Sequence, residues 1–260
     1  MKRAKPRMKL RAAGPSNQPA SFAALHFGDG RHYDRHMEDY TADTKFYARY
    51  AKRGRKVLEL GSGTGRIALP LAKRGCAVTG VDFLPHMVRL ARAKARRAEL
   101  RVRWIEGDVL TAPIPGRFEL VLAPFNFLAQ FPRRTLPRVL ARVRRLVAPG
   151  GLFICDVFNP GRIHRRKRVP YEMEYADLSG GGKIKLKISS RLEGGVCRIT
   201  HEYLLPDGTT CRNHLRLLAI EPEELDALLA QSGFRIAAKY GGFDRRPFGK
   251  AELHQIVEAL

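Results

Sequence analysis

The stretch Val57-Leu58-Glu59-Leu60-Gly61-Ser62-Gly63-Thr64-Gly65 decides the fold of this 260-residue chain. Its first four residues predict a short buried strand, and three glycines follow at alternate positions. A tight turn after a buried strand favours glycine, which adopts positive φ and lets a ligand approach the backbone. The helix expected next would direct free N–H groups and a positive dipole end at that ligand. Such a turn serves many nucleotide-binding folds, so it predicts a ligand site without naming the ligand.

Strand-like and helix-like segments alternate outward from this turn. Apolar strands are predicted at 56–60, 77–81, 102–106, 118–123 and 152–158. Helices are predicted up to Lys73, from Pro85 to about Arg97 and over 133–147, and a helical pattern covers 33–50. Pro70 should bend the first of these helices, because proline lacks an N–H. Apolar strands separated by helices predict a doubly wound, mostly parallel α/β sheet covered on both faces.

The pattern changes after residue 160. Strands without intervening helices are predicted at 183–192, 195–204 and 211–220, and a fourth stays open. Glu193-Gly194-Gly195 and Pro206-Asp207-Gly208 supply their turns. The sequence thus predicts a small antiparallel β insert after the fifth strand. A helix over 221–231 and strands over 234–240 and 254–258 then complete the core.

Composition places the chain among globular proteins. No apolar run reaches the roughly 18 residues of a membrane span, and the basic N-terminus lacks the apolar segment of a secretory signal. Cys76, Cys155, Cys197 and Cys211 show no metal-binding spacing, which favours buried free thiols and a cytoplasmic location. The formal charge of +23 favours either a polyanionic partner or solvated helix faces rich in arginine.

Asp82 strengthens the ligand site. It ends the second predicted strand, where the neighbouring carboxyl end opens onto the same crevice, and its carboxylate can accept both hydroxyls of a ribose. The alternative is a solvated N-cap for the helix that begins at Pro85.

Glu59 with the Gly-rich turn, Asp82, Gly107-Asp108 and Pro149-Gly150-Gly151 together resemble the motif series of class I S-adenosylmethionine-dependent methyltransferases. The resemblance implies a Rossmann-like sheet of seven strands, the last antiparallel, and S-adenosylmethionine as cofactor, without a metal. Glycines would line its methionine portion with Glu59 near the amino group, Asp82 would hold the ribose, and Asp108 with Val109 would meet the adenine. The cofactor-binding residues predicted in this way are Tyr33, Glu59, Gly61, Ser62, Gly63, Gly65, Asp82, Phe83, Asp108, Val109 and Ala123. The sequence lacks the GxGxxG spacing of dinucleotide-binding dehydrogenases, so a protein of that class is not expected.

A finer resemblance is to small-molecule methyltransferases, including those that methylate nitrogen in glycine, sarcosine and amino sugars. Tyr33-Asp34, Phe46-Tyr47, the insert and Phe243-Asp244 carry it, and it implies that Tyr33 covers the sulfonium. Candidate catalytic residues are Tyr33, Asn126, Gln130 and Glu172. His201 and His214 receive no role, because histidines on such strands are more often plain surface residues.

Four regions follow from these patterns: a flexible basic tail over 1–21, a cofactor-binding core over 22–160, the insert over 161–220 and a closing unit over 221–260. The insert would shape the acceptor site or a dimer contact. We expect methyl transfer to nitrogen or oxygen of a small molecule. The alternatives are a nucleic-acid methyltransferase, which we do not favour, and a non-catalytic cofactor-binding module. A homodimer is possible from the sequence, and no membrane partner is expected.

A run of five cations after the fifth strand predicts an anionic acceptor, because ligands of open α/β sheets bind outside the carboxyl ends of the strands. These residues are Arg162, Arg165, Arg166, Lys167 and Arg168. A solvated connection into the insert is an equally good interpretation.

Overall fold

A computed structural model describes residues 31–161, 171–176 and 181–260 of the chain. The predicted basic tail over 1–21 lies outside these residues, as do the five cations predicted to attract an anionic acceptor. The described part begins with α1, Arg31–His36, and α2, Ala42–Ala48. The single helical stretch predicted over 33–50 was therefore wrong. The chain turns between the two helices, and the Tyr40 carbonyl accepts a hydrogen bond from Arg66 at 3.3 Å.

The remaining helices are α3, Ala68–Lys73; α4, Pro85–Arg97; α5, Leu136–Leu146; and α6, Pro222–Gln231. The strands, in chain order, are β1 Lys56–Leu60, β2 Ala77–Asp82, β3 Val102–Glu106, β4 Phe118–Ala123, β5 Val147–Phe158, β6 Tyr171–Ala176, β7 Lys183–Glu193, β8 Val196–Leu204, β9 Thr210–Leu218, β10 Ile236–Tyr240 and β11 His254–Ala259. The bend predicted at Pro70 does not occur. Because α3 begins only at Ala68, Pro70 falls in its first turn, where a missing N–H is tolerated.

Seven strands form the main sheet in the order β10-β11-β5-β4-β1-β2-β3. The pairs from β5 through β3 are parallel, whereas β11 runs antiparallel to both β5 and β10. This arrangement confirms the predicted doubly wound sheet with its antiparallel last strand. The central strand β1 places Val57 on one face and Leu58 on the other, and both are fully buried. The alternation of side chains along a strand thus supplies two apolar layers, one on each face.

The helices cover both faces of this sheet. Leu136, Val139, Leu140 and Val143 of α5 recur at helical spacing and are buried against one face. Helices α2 and α3 bury Phe46 and other apolar side chains against the opposite face. Ligands of such sheets bind outside the carboxyl ends of the strands.

The predicted insert is a separate antiparallel sheet in the order β6-β7-β8-β9. The sequence did not decide whether the insert has a fourth strand, and the structure shows that it does, namely β6. Cys197 and Leu217 pack into the main core, which joins the two sheets. Cys76, Cys155 and Cys197 are buried free thiols, as predicted. Within the described part of the chain, no helix has the length and apolarity to cross a membrane.

Candidate active site

A pocket opens at the carboxyl edge of β1 to β4. Each strand contributes the residues that directly follow it, and α1 contributes one more. The lining consists of Tyr33, Gly61, Gly63, Val81, Asp82, Phe83, Leu84, Met87, Gly107, Asp108, Val109, Pro124, Phe125, Phe127, Gln130 and Phe131.

Asp82 connects the Gly-rich turn to the end of β2. Its Oδ2 accepts the Gly63 N–H at 2.7 Å, and its Oδ1 accepts the Leu84 N–H at 2.8 Å. Burial raises the pKa of this carboxyl, while these hydrogen bonds oppose the rise. Each carboxylate oxygen has a second lone pair, so the group can still accept bonds from a ligand in the pocket.

A side chain would have a different effect at each of the three glycines of the turn. All adopt positive φ. A Cβ at Gly61 would lie 2.7 Å from the Phe127 ring, whereas one at Gly63 would meet nothing within 4 Å. Gly65 is not among the described lining residues, and a Cβ there would lie 2.8 Å from the Trp104 ring. Gly65 therefore serves close packing of the turn against β3.

Two further predicted cofactor residues lie outside the lining. Ser62 is 3% exposed and Ala123 is fully buried in β4. The sequence pattern places both next to lining residues, but their side chains face the protein interior. Contact of Ser62 and Ala123 with the cofactor stays a prediction.

Glu59 lies behind the lining rather than in it. The side chain is 2% exposed, and its Oε2 has no hydrogen-bond partner among the described residues. Burial raises the pKa of this carboxyl to about 8, against the opposing effect of the Arg66 guanidinium. An ionised carboxylate buried without a partner is costly, so Glu59 stays protonated at neutral pH unless a cationic group lies beside it.

Helix α1 lies over the Gly-rich turn and is held there by Asp34. One Asp34 oxygen accepts the Thr64 hydroxyl, and the other lies 2.7 Å from Lys94 Nζ. This attachment brings Tyr33 into the pocket, where its ring lies 6.2 Å from that of Phe125 in an edge-on arrangement. Burial raises the pKa of the Tyr33 phenol, so the group stays protonated at neutral pH.

Sequence reasoning did not single out Arg66, which joins the helices to the pocket. Its guanidinium forms two bonds to the Asp43 carboxylate, at 2.7 and 2.5 Å. It also lies over the rings of Tyr40 and Phe125, at 5.7 and 5.4 Å from their centroids. Asp43 is fully buried, so this pair fixes α2 against the turn that follows β1.

Asp156 is the second important residue that the sequence did not reveal. It is buried in β5, and its Oδ1 accepts the Tyr47 hydroxyl at 2.5 Å and the Phe125 N–H at 2.9 Å. Its Oδ2 accepts the Asn126 N–H at 3.3 Å. Phe125 and Asn126 have φ of 54° and 63°, which costs a non-glycine residue about 1–3 kcal/mol. Asp156 thus holds a strained turn whose Phe125 lines the pocket.

The four candidate catalytic residues are not brought together. Tyr33 and Gln130 line the pocket. Asn126 is not among the described lining residues, and its Oδ1 accepts the Phe158 N–H at 2.7 Å. Glu172 lies exposed on β6, where it faces Lys187 across the strand pair at 3.7 Å. The aromatic lining from Phe125, Phe127 and Phe131 was missed, although all three follow β4 closely in the sequence.

These observations fit S-adenosylmethionine. The backbone at Gly63 leaves room for a ligand, Asp82 suits ribose hydroxyls, and the Glu59 oxygen without a partner lies behind the lining, two residues before Gly61. Asp108 and Val109 lie in the same pocket. The main sheet, with its strand order and antiparallel β11, is the architecture of the class I methyltransferases.

Comparison with known proteins agrees with this interpretation of the pocket. Residues 57–151 match a family described as a methyltransferase domain. A demethylmenaquinone methyltransferase from Thermus thermophilus is 38% identical over 114 residues, which are 42% of this chain and 50% of that protein. The CcbJ methyltransferase of Streptomyces caelestis superposes with a TM-score of 0.77 at 24% identity, covering 93% of this chain and 98% of the other. An amino pentose methyltransferase from Micromonospora echinaspora, solved with S-adenosylmethionine bound, gives 0.66 at 21% identity, covering 86% and 90%.

The chain spans about half the length of the curated relatives that it matches. The two solved structures share its fold across most of both chains. Together these findings show a methyltransferase domain over residues 57–151 and confirm the predicted doubly wound fold, and they support S-adenosylmethionine as the cofactor of this domain.

Proposed function

We propose that this chain transfers a methyl group from S-adenosylmethionine to a nitrogen or oxygen of a small-molecule acceptor. The observation that carries the proposal is the pocket itself. Its polar half contains Gly61, Gly63, Asp82 and Asp108 at the strand ends, and its other half is aromatic and lies under α1. A cofactor in the polar half would present its reactive end to the aromatic half.

The polar half supplies the cofactor contacts. Glu59 would accept the amino group of the methionine portion, and the turn at Gly61 and Gly63 would let that portion approach the backbone. Asp82 would accept the ribose hydroxyls, and Asp108 with Val109 would border the adenine. These roles match those that the family resemblance implies for the same residues.

S-adenosylmethionine supplies an electrophilic methyl group, so the protein has mainly to align the acceptor and exclude water. Tyr33, Phe125, Phe127 and Phe131 form an apolar enclosure suited to that task. Gln130 offers a polar group among them for orienting an acceptor. Among the described lining residues the carboxylates are Asp82 and Asp108, and both lie on the cofactor side. The acceptor side therefore offers no carboxylate as a general base among these residues, and its contribution is to align the acceptor with the methyl group.

Amino sugars are the first acceptor class to test, because one of the solved structures that share this fold is an amino pentose methyltransferase. The chain would be incubated with radiolabelled S-adenosylmethionine and a panel of amino sugars, their hydroxyl analogues, and total RNA. Label in a sugar supports the proposal, and the pair of analogues distinguishes nitrogen from oxygen. Asp82→Ala serves as a control that should lose transfer through weaker cofactor binding.

Other results would contradict the proposal. Label found in RNA alone would favour a nucleic-acid methyltransferase. Tight cofactor binding without transfer to any acceptor in a broad small-molecule panel would favour a non-catalytic module. That the insert shapes the acceptor site or a dimer contact stays a prediction. The anionic character of the acceptor also stays a prediction, since the five cations on which it depends lie outside the described residues.

A further inference from the structure

The edge of the main sheet opposite the pocket is lined with cations. Lys56 begins β1, Arg74 lies just before β2, Arg101 precedes β3 and Arg117 precedes β4. These four strands are neighbours and parallel, so their amino ends meet at one edge of the sheet. Since β1 has five residues, this edge is separated from the pocket by about 15 Å of strand.

A broad concavity lies along this edge, between α4, β3 and the loop that precedes β4. Among the residues that the structure describes, six cationic side chains and no acidic side chain line it. They are Lys56, Arg92, Arg96, Arg101, Arg103 and Arg117, all exposed. We call this surface the basic edge.

The cations of the basic edge are not neutralised by neighbouring side chains. Over residues 31–161, 171–176 and 181–260, none of the ion pairs involves any of the six. The carboxylate of Glu119 accepts the Lys56 backbone N–H at 3.0 Å and keeps its negative charge beside the six positive charges of this surface. Six exposed like charges repel one another, so an anionic partner that lies along them gains from all six at once.

We propose that the basic edge binds the phosphodiester backbone of a nucleic acid, apart from the methyl-transfer site. Four adjacent strands span about 15 Å, which suits a row of phosphates rather than one isolated anion. Five of the six cations are arginines, whose planar guanidinium matches phosphate geometry in a bidentate manner. The large apolar side chains exposed in the described part, Tyr171, Leu204, Leu253 and Leu260, all lie outside this surface, so charge provides the recognition.

The test measures binding of a fluorescein-labelled 20-nucleotide oligouridine by anisotropy over a series of salt concentrations. The variant Arg96→Gln/Arg101→Gln/Arg103→Gln removes three cations from the basic edge. Arg134→Gln/Arg138→Gln/Arg145→Gln removes three exposed cations near and on α5 and serves as a control with the same net charge and the same N-terminal segment. All six positions are exposed, so both variants should fold, and circular dichroism would verify this.

Removing three phosphate contacts should make the slope of log affinity against log salt less negative by about 2, at about 0.7 per contact on a single strand. The control variant should keep the parent slope, and both should keep the parent affinity for S-adenosylmethionine. The proposal would be overturned if both variants lost affinity for the oligouridine equally, or if neither lost any. So would equally tight binding of phosphatidylserine vesicles or a polyglutamate peptide through the same arginines. Because RNA methylation is not measured, this test is independent of the proposed methyl transfer.

Discussion

Asp82→Ala is the most informative single substitution in the pocket. The carboxylate has two tasks in the structure: it accepts the backbone N–H groups of Gly63 and Leu84, and it faces the pocket. Alanine removes both, so the variant should lose cofactor affinity and should also loosen the Gly-rich turn.

The magnitude follows from these bonds. A hydrogen bond to a charged group contributes about 1.5–3 kcal/mol, and two ribose hydroxyls would share this acceptor. Burial already raises the pKa of Asp82, which means that part of this gain is offset by desolvation. We therefore expect a loss of about 2–3 kcal/mol in binding, or about 30- to 150-fold in Kd.

The assay is isothermal titration calorimetry with S-adenosylmethionine, accompanied by urea unfolding of the free protein. Asp82→Asn keeps one acceptor oxygen and should give an intermediate loss. Asp244→Ala is a matched control, because that carboxylate is exposed and pairs with Arg246 away from the pocket. An Asp82→Ala protein that is folded and binds the cofactor within about twofold of the parent would refute the assignment.

Three further predictions address the surroundings of this residue. Gly61→Ala should lower stability by about 1–3 kcal/mol and weaken cofactor binding, since it combines positive φ with a Cβ placed 2.7 Å from Phe127; calorimetry and urea unfolding test both. The pKa of Glu59 is raised to about 8, so ionisation destabilises the free protein as pH rises from its ordinary value of 4.5 through 8. Glu59→Gln should flatten the fall of Tm over that window, and an unchanged pH profile would contradict the burial argument. Tyr47→Phe should cost about 1.5–3 kcal/mol of unfolding free energy at pH 8 by removing a hydrogen bond to the Asp156 carboxylate. The cost should shrink at pH 5, because the pKa of Asp156 is about 6; equal losses at both pH values would exclude that explanation.

The sequence by itself determined the strand and helix alternation and the position of the pocket. Strand bounds such as 102–106 and 118–123 agree with β3 and β4, and the turn after β1 lies where the glycines predicted it. These features depend on side-chain periodicity and on backbone conformations that only particular residues adopt, so neighbouring residues reveal them.

The tertiary structure alone decided which side chains meet. Asp156 holds Phe125 from 31 positions away and Tyr47 from 109, and Trp104 explains why Gly65 must lack a side chain. Likewise, Arg66 joins α2 to the pocket only when α2 packs beside the turn after β1. Cations at the starts of β1, β3 and β4 join those of α4 in one surface only because the sheet places these strands side by side. Such contacts arise from chain topology rather than local pattern, because residues far apart in sequence become neighbours only when strands pair and helices pack.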